Sequence, residues 1–363
     1  MKPIKRTSPV KPNPAICQLD SNRDLSDPIT YPNALSKIKL LVGELQSSRV
    51  NVEIDYHTPT NNLTNYTGPI VVFIPEDHWD KPEIKKMKIQ TLMSLCSDPI
   101  LKIDKCPIEF FRIGNYFNED EIISLDILAN HKTVNVAYAL RYLQSELPHK
   151  VSLIPTEVLS LRVLMGVSML MQSELAGDYS QREYLAGRIA AELYNPDPLI
   201  FESNVREYNN FMKTLLNNCK LQEVFELRSI RDSKYDKDIS IPAKKVDLEE
   251  LKDFADTSFL FVMSERSKAM AEVLKGLKGV LPFVIGPEHA LNMTVMNLEP
   301  EVPVIVLKVK TSDTTVNEVG TVLNTPIKRA TYKGDLQTTS AKYRSFIADG
   351  YPDLTKLRFS NAE

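Results

Sequence analysis

Glycine is scarce in this chain: 12 residues in 363. No G-x-G-x-x-G and no G-x-x-x-x-G-K-[ST] occurs, so neither glycine-rich phosphate cradle is expected. Cysteine is scarcer still. The four residues, Cys17, Cys96, Cys106 and Cys219, stand far apart and form no C-x-x-C, which argues against a zinc knuckle. Free thiols are the default, and Cys96 with Cys106 is the one pair spaced to close a short loop. No apolar run approaches the ~20 residues that a membrane-spanning helix needs. The opening Met-Lys-Pro-Ile-Lys-Arg has no apolar stretch behind it, so a secretory leader is not expected. An excess of one charge is also missing. The net charge is −3, which gives no electrostatic case for a nucleic-acid partner.

What remains is the composition of a globular protein, 43% hydrophobic and 25% charged, long enough for one large domain or two modest ones. Residues 1–30 carry Pro, Lys, Ser and Asp with little to bury, and read as a flexible arm. From 31 to about 330, apolar strands, acid-bearing turns and helices recur. This pattern predicts an α/β domain with a mixed β-sheet flanked by helices. A helical insertion is expected over about 159–228, where the apolar stretch 159–175 holds three Met that fit core filling. A polar tail is expected over 331–363.

Two strands carry most of the information. Val280-Leu281-Pro282-Phe283-Val284-Ile285 is an apolar run that stops at Gly286-Pro287 and then presents Glu288 and His289. Far upstream, Ile70-Val71-Val72-Phe73-Ile74 ends in Pro75-Glu76-Asp77-His78. The chain has only five His, and the other three, His57, His131 and His149, lie in polar contexts that predict solvated side chains. Between the two turns, Pro107 to Arg112 reads as a short strand with Glu109 inside it. A carboxylate there is costly unless it is paired or used. A third strand, Lys150 to Pro155, runs into Glu157, a residue placed to favour a helix N-terminus. Trp79, the lone tryptophan, adjoins His78.

The order of these motifs resembles the erythromycin-esterase/ChaN-like superfamily, which also holds TraB and Tiki proteins and bacterial effectors. The resemblance covers about residues 68–310 and is most specific from Arg266 to His289. The family pattern repeats Gly-x-x-His. Gly286-Pro287-Glu288-His289 fits it, whereas Pro75-Glu76-Asp77-His78 has Pro for Gly, and the segment Arg266-Ser267-Lys268-Ala269-Met270-Ala271 lacks an Asn of the family's helix motif. The resemblance implies a mixed-sheet α/β fold with Glu and His meeting at the sheet's edge. It implies a hydrolase of the esterase or metalloprotease type, acting on a small ester or a protein. The ChaN-like members also bind haem iron.

The residues fit two devices. Glu76, His78, Glu109 and His289 could hold a divalent transition metal whose bound water ionises near neutrality. Alternatively one His, oriented by a carboxylate, takes a proton from water directly. In either scheme Glu288 stands beside His289, and Arg266, with Arg112 in reserve, stabilises an oxyanion or a phosphate. Two other expectations stand beside the enzyme. One is that the chain, rather than staying cytoplasmic, is an effector exported into a host cell without a Sec signal, with the arm as its address. The other is a non-catalytic binding protein on a degenerate enzyme fold, suggested by the departures at Pro75 and Lys268.

Overall fold

The computed structural model describes residues 28–77, 80–109, 117, 123–131, 134–218, 221–246, 250–299, 301–310 and 319–348. The expected arm up to Asp27 and the side chains of His78, Trp79 and Arg112 lie outside that set.

The chain opens with helix α1 (Tyr31–Ser47), an edge strand β1 (Val52–His57) and the strand β2 (Ile70–Pro75). Pro82 starts α2 (Pro82–Ser97), where a missing N–H costs nothing. Then come β3 (Lys105–Ile108), the short helices α3 (Leu125–Asn130) and α4 (Ala139–Tyr142), and β4 (Ser152–Pro155). The helices α5 (Leu159–Ala176), α6 (Arg182–Leu193) and α7 (Pro198–Asn218) precede a hairpin of β5 (Phe225–Asp232) and β6 (Lys237–Lys244). A long helix α8 (Glu250–Lys275) returns to β7 (Val280–Ile285), which runs into α9 (Pro287–Asn292) and a π-helical turn, Met293–Leu298. Strand β8 (Val304–Val309) and helices α10 (Val319–Asn324) and α11 (Pro326–Ala348) complete the described chain.

Six strands form one sheet in the order β1-β8-β2-β7-β3-β4. Only β1 runs antiparallel; the other pairings are parallel. The protein is therefore α/β, with a mostly parallel mixed sheet flanked by helices. Strands β2 and β7 hold the middle and are buried on both faces, which is why they read as continuous apolar runs rather than alternating ones. Both β3 and β7 contain a proline, Pro107 and Pro282, which cannot donate to a ladder. The register between them reduces to Ile108 opposite Val284, and the Cys106 thiol donates to the Pro282 carbonyl at 3.2 Å.

The alternation of side chains along these strands divides the core in two. Ile70, Val72, Ile74, Val284, Cys106 and Ile108 pack with α1 and α2 on one face. Val71, Phe73, Leu281, Phe283 and Ile285 pack on the other, against Met270, Ala271 and Leu274 of α8 and Ala290 of α9. A third apolar cluster joins α5, α6, α7, the hairpin and the middle of α8. The segment expected to be a helical insertion over 159–228 thus ends in strands: Phe225–Arg228, expected helical, belongs to β5, and its hairpin reaches Lys244.

Three further differences from the sequence reading have local causes. The stretch 119–147 is expected to be helical; its described part is helical in short pieces, capped by Ser124 and Asn135 side chains that accept backbone N–H groups. The polar tail expected from 331 is helical as far as Ala348, and Ser340 of α11 bonds Ser264 of α8 at 3.3 Å. Polar composition hid a helix that needs only a narrow apolar stripe. His57, His131 and His149 are half-buried rather than solvated: His149 Nε2 lies 2.6 Å from the Ile103 carbonyl, and His131 stacks edge-on against Phe117. Cys96 and Cys106 are buried free thiols, and burial pushes Cys96 up to about 12.

Candidate functional site

Strands β2, β7, β3 and β4 are parallel, so their C-terminal ends meet along one edge. That edge is where open α/β sheets keep their ligands. Pro75 lies opposite Ile285, Ile108 opposite Val284, and Pro155 opposite Ile108. The residues just beyond, Glu76, Gly286, Glu109 and Glu157, therefore form a row. Glu109 is expected inside its strand; it stands one residue past the end, and this placement frees its side chain to turn into the site.

The side chains divide according to face. Glu109 turns towards α8 and α9. Its Oε1 accepts from Arg266 Nη2 at 3.1 Å and lies 3.7 Å from His289 Nε2, while its Oε2 accepts from the Gly286 N–H at 3.4 Å. His289 is held from behind by Ser267, whose Oγ is 2.7 Å from Nδ1. Arg266 and Ser267 are neighbours on α8, one reaching the carboxylate and the other the imidazole. Glu109, Arg266 and His289 are 7%, 8% and 3% exposed, and Ser267 is fully buried.

A ladder of charges extends from Arg266 into the insertion. Glu157 Oε1 accepts from Arg266 Nε at 2.6 Å and also from Nη2. Its Oε2 accepts from Arg162 Nη1 at 2.6 Å, and Arg162 Nε donates to Glu192 on α6 at 2.9 Å. Burial opposes the charge on Arg162, but the carboxylates of Glu157 and Glu192 outweigh it and raise its pKa. Glu157 is expected as a helix-dipole acid. It is instead the joint between the two guanidiniums, and it ties the sheet edge to α5 and α6.

Glu76 does not join this group. It follows Ile74 in the alternation and turns to the α2 face, where the Val136 N–H donates to its carboxylate at 3.1 Å. Lys88, Lys85 and Asp80 surround it; Lys88 is paired with Asp80, and Lys85 Nζ donates to the His131 carbonyl at 2.7 Å. Burial raises the Glu76 pKa, to about 8, against the pull of the two ammonium groups. Glu288 is exposed on α9, and its charge adds to the burial that raises the Tyr332 phenol on α11.

The Glu76 shift has a stability consequence. An acid whose folded pKa lies above its unfolded value stabilises the fold least once pH has risen through the folded value. Its unfavourable contribution grows from about pH 4.3 to about pH 8. A Glu76→Gln protein lacks that dependence. Its melting temperature relative to wild type is expected to be higher near pH ~8 than near pH ~5, as thermal melts at both values would read. An unchanged or reversed difference would contradict the burial of this carboxyl.

Among the described residues, no three His, Cys, Asp or Glu side chains gather to hold a metal ion. Two donors approach one another, Glu109 Oε1 and His289 Nε2, but the Arg266 guanidinium already takes that same oxygen. A cation seated there would have to displace another cation, so the described pair does not fit a metal centre. No described helix is long and apolar enough to cross a membrane. Against known families, curated proteins and solved structures, the chain matches none.

Proposed function

We propose that this protein is a hydrolase of the esterase type, in which His289 acts as general base on water and Glu109 steadies the charge that forms. The resemblance of its turn and helix motifs to the erythromycin-esterase/ChaN-like superfamily supports the same reading. The observation that carries it is the placement of His289 Nε2 beside the Glu109 carboxylate, at the C-terminal edge of a parallel sheet. Nε2 takes a proton from water as the water oxygen bonds the ester carbonyl carbon. The imidazolium then lies 3.7 Å from Glu109 Oε1, whose negative charge favours it. When the ester C–O bond breaks, the proton on Nε2 passes to the leaving alkoxide. Arg266 fixes the carboxylate in place; bound to Glu109 and Glu157 at once, it is better suited to that task than to holding an oxyanion.

The first test is turnover of chromogenic esters of graded acyl length by the purified chain, followed against pH and with a chelator present. The expected result is hydrolysis rising with pH through the range where a histidine titrates, about 5 to 8, and insensitive to the chelator. Absence of turnover across the series would remove the reading. Turnover abolished by the chelator would move catalysis to other ligands than this pair. A second reading, a non-catalytic binding or effector protein, draws on the burial and mutual pairing of Arg266, Glu109 and Glu157. Such a network can serve the fold alone.

A further inference from the structure

We infer that Ser267 is a positioning residue that sets the tautomer of His289, placing the imidazole proton on Nδ1 and leaving Nε2 as the basic nitrogen that faces Glu109. The inference rests on the hydrolase reading for its catalytic meaning, but the tautomer itself can be measured without any substrate.

The hydroxyl of Ser267 has one proton and two neighbours. Its Oγ lies 2.9 Å from the Met263 carbonyl, one turn back on α8, and 2.7 Å from His289 Nδ1. A carbonyl can only accept, whereas Nδ1 can donate or accept according to its proton. Both bonds are satisfied together in one arrangement only. The hydroxyl donates to Met263, as serines in helices commonly do to the carbonyl four residues back, and Nδ1–H donates to the hydroxyl oxygen. The opposite arrangement leaves the Met263 carbonyl facing a hydroxyl lone pair. Ser267 is fully buried and His289 nearly so, which makes two oxygen lone pairs set against each other costly at this point. The neutral ring therefore carries its hydrogen on Nδ1.

The consequence lies at the other nitrogen. A proton that arrives on Nε2 makes the ring a cation 3.7 Å from a carboxylate oxygen, whose negative charge favours it. With the other tautomer Nε2 would already hold a hydrogen and could not accept one. Ser267 thus does for His289 what a buried carboxylate does in other His-dependent hydrolases, selecting the basic nitrogen from behind. It does so without a second charge, using the helix's own carbonyl as the fixed acceptor. Among the described residues, the charged and titratable groups that face this ring include Glu109 from the end of β3 and Arg266 from α8.

The decisive experiment is a long-range nitrogen–proton correlation spectrum of the full chain with histidine nitrogen labelling, followed from neutral pH into the alkaline range where the ring is neutral. The His289 signals are assigned by their loss in His289→Gln. The expected spectrum has a protonated-type Nδ1 and a lone-pair-type Nε2. In Ser267→Ala the two nitrogens are expected to exchange character or average, and Ser267→Thr, which keeps the hydroxyl, is expected to restore the wild-type pattern. A wild-type ring with its hydrogen on Nε2, a ring that never becomes neutral, or an Ala variant with an unchanged pattern would each overturn the assignment. Where ester turnover is found, Ser267→Ala should lower kcat about tenfold or more with KM nearly constant. If turnover is absent while the tautomer is as stated, the hydrolase reading fails and the positioning role stands. If turnover is present with the other tautomer, the reverse holds.

Discussion

An Arg266→Met protein is expected to lose about 3–5 kcal/mol of stability, the usual cost of removing one partner from a buried ionic group. The loss falls unequally on its two acceptors. Glu157 keeps Arg162 on its other oxygen, at 2.6 Å, and so retains half of its neutralisation. Among the described residues, Glu109 keeps the Gly286 N–H at 3.4 Å and the neighbourhood of His289. The uncompensated charge is therefore mainly that of Glu109, and the double variant Arg266→Met with Glu109→Gln should recover part of the loss. Urea unfolding of the wild type and both variants measures this directly. A loss below about 1 kcal/mol would mean that Arg266 behaves as an exposed pair would, and that the network is wetter than the structure shows.

The parts of this fold that could be read from sequence are those with local causes. The runs 70–74 and 280–285 announce central strands because both faces are buried, and Pro82 announces a helix start because its ring suits a first turn. Gly286-Pro287 marks the strand end, although the turn expected after it is the first turn of α9, with His289 on it. The mutual placement of the acidic turns could not be read in the same way. Glu76, Glu109 and Glu157 each follow an apolar strand, and in sequence they look equivalent. Which face each takes depends on how many residues separate it from the last inward-facing apolar side chain, and on where the strand stops. Glu76 comes two residues after Ile74 and shares its face; Glu109 comes one residue after Ile108 and takes the opposite one. A one-residue difference thus sends one carboxylate to the lysines of α2 and the other to Arg266.

Pairing across long stretches of chain was hidden for another reason. Arg266 meets Glu157 across 109 residues, and Ser267 meets His289 across 22. No periodicity reports such contacts, because they depend on α8 crossing the sheet edge at one particular height. The signal present was adjacency: Arg266 and Ser267 are consecutive polar residues on a helix whose following turn, Met270-Ala271, is buried in the core. Two polar residues leading into a buried helical face call for partners. The charged, Pro-containing segment 229–246 reads as a loop or hairpin, but the start of β5 was hidden inside the expected insertion, where the strand runs along a largely exposed surface.

The proposed hydrolase needs its working site on the α8 face of the sheet edge, with Glu109 in it and Glu76 outside it. Two isosteric substitutions separate these positions, Glu109→Gln and Glu76→Gln, each replacing one titratable carboxyl group at the same edge by an amide. The measurement is kcat/KM of both variants on one ester that the wild type hydrolyses, with folding verified by circular dichroism. The account predicts that Glu109→Gln loses about a hundredfold or more, the scale of a group that stabilises charge formed on a catalytic base, while Glu76→Gln stays within about threefold of wild type. Loss on replacing Glu76 with Glu109 dispensable would place the chemistry on the opposite face and contradict the account.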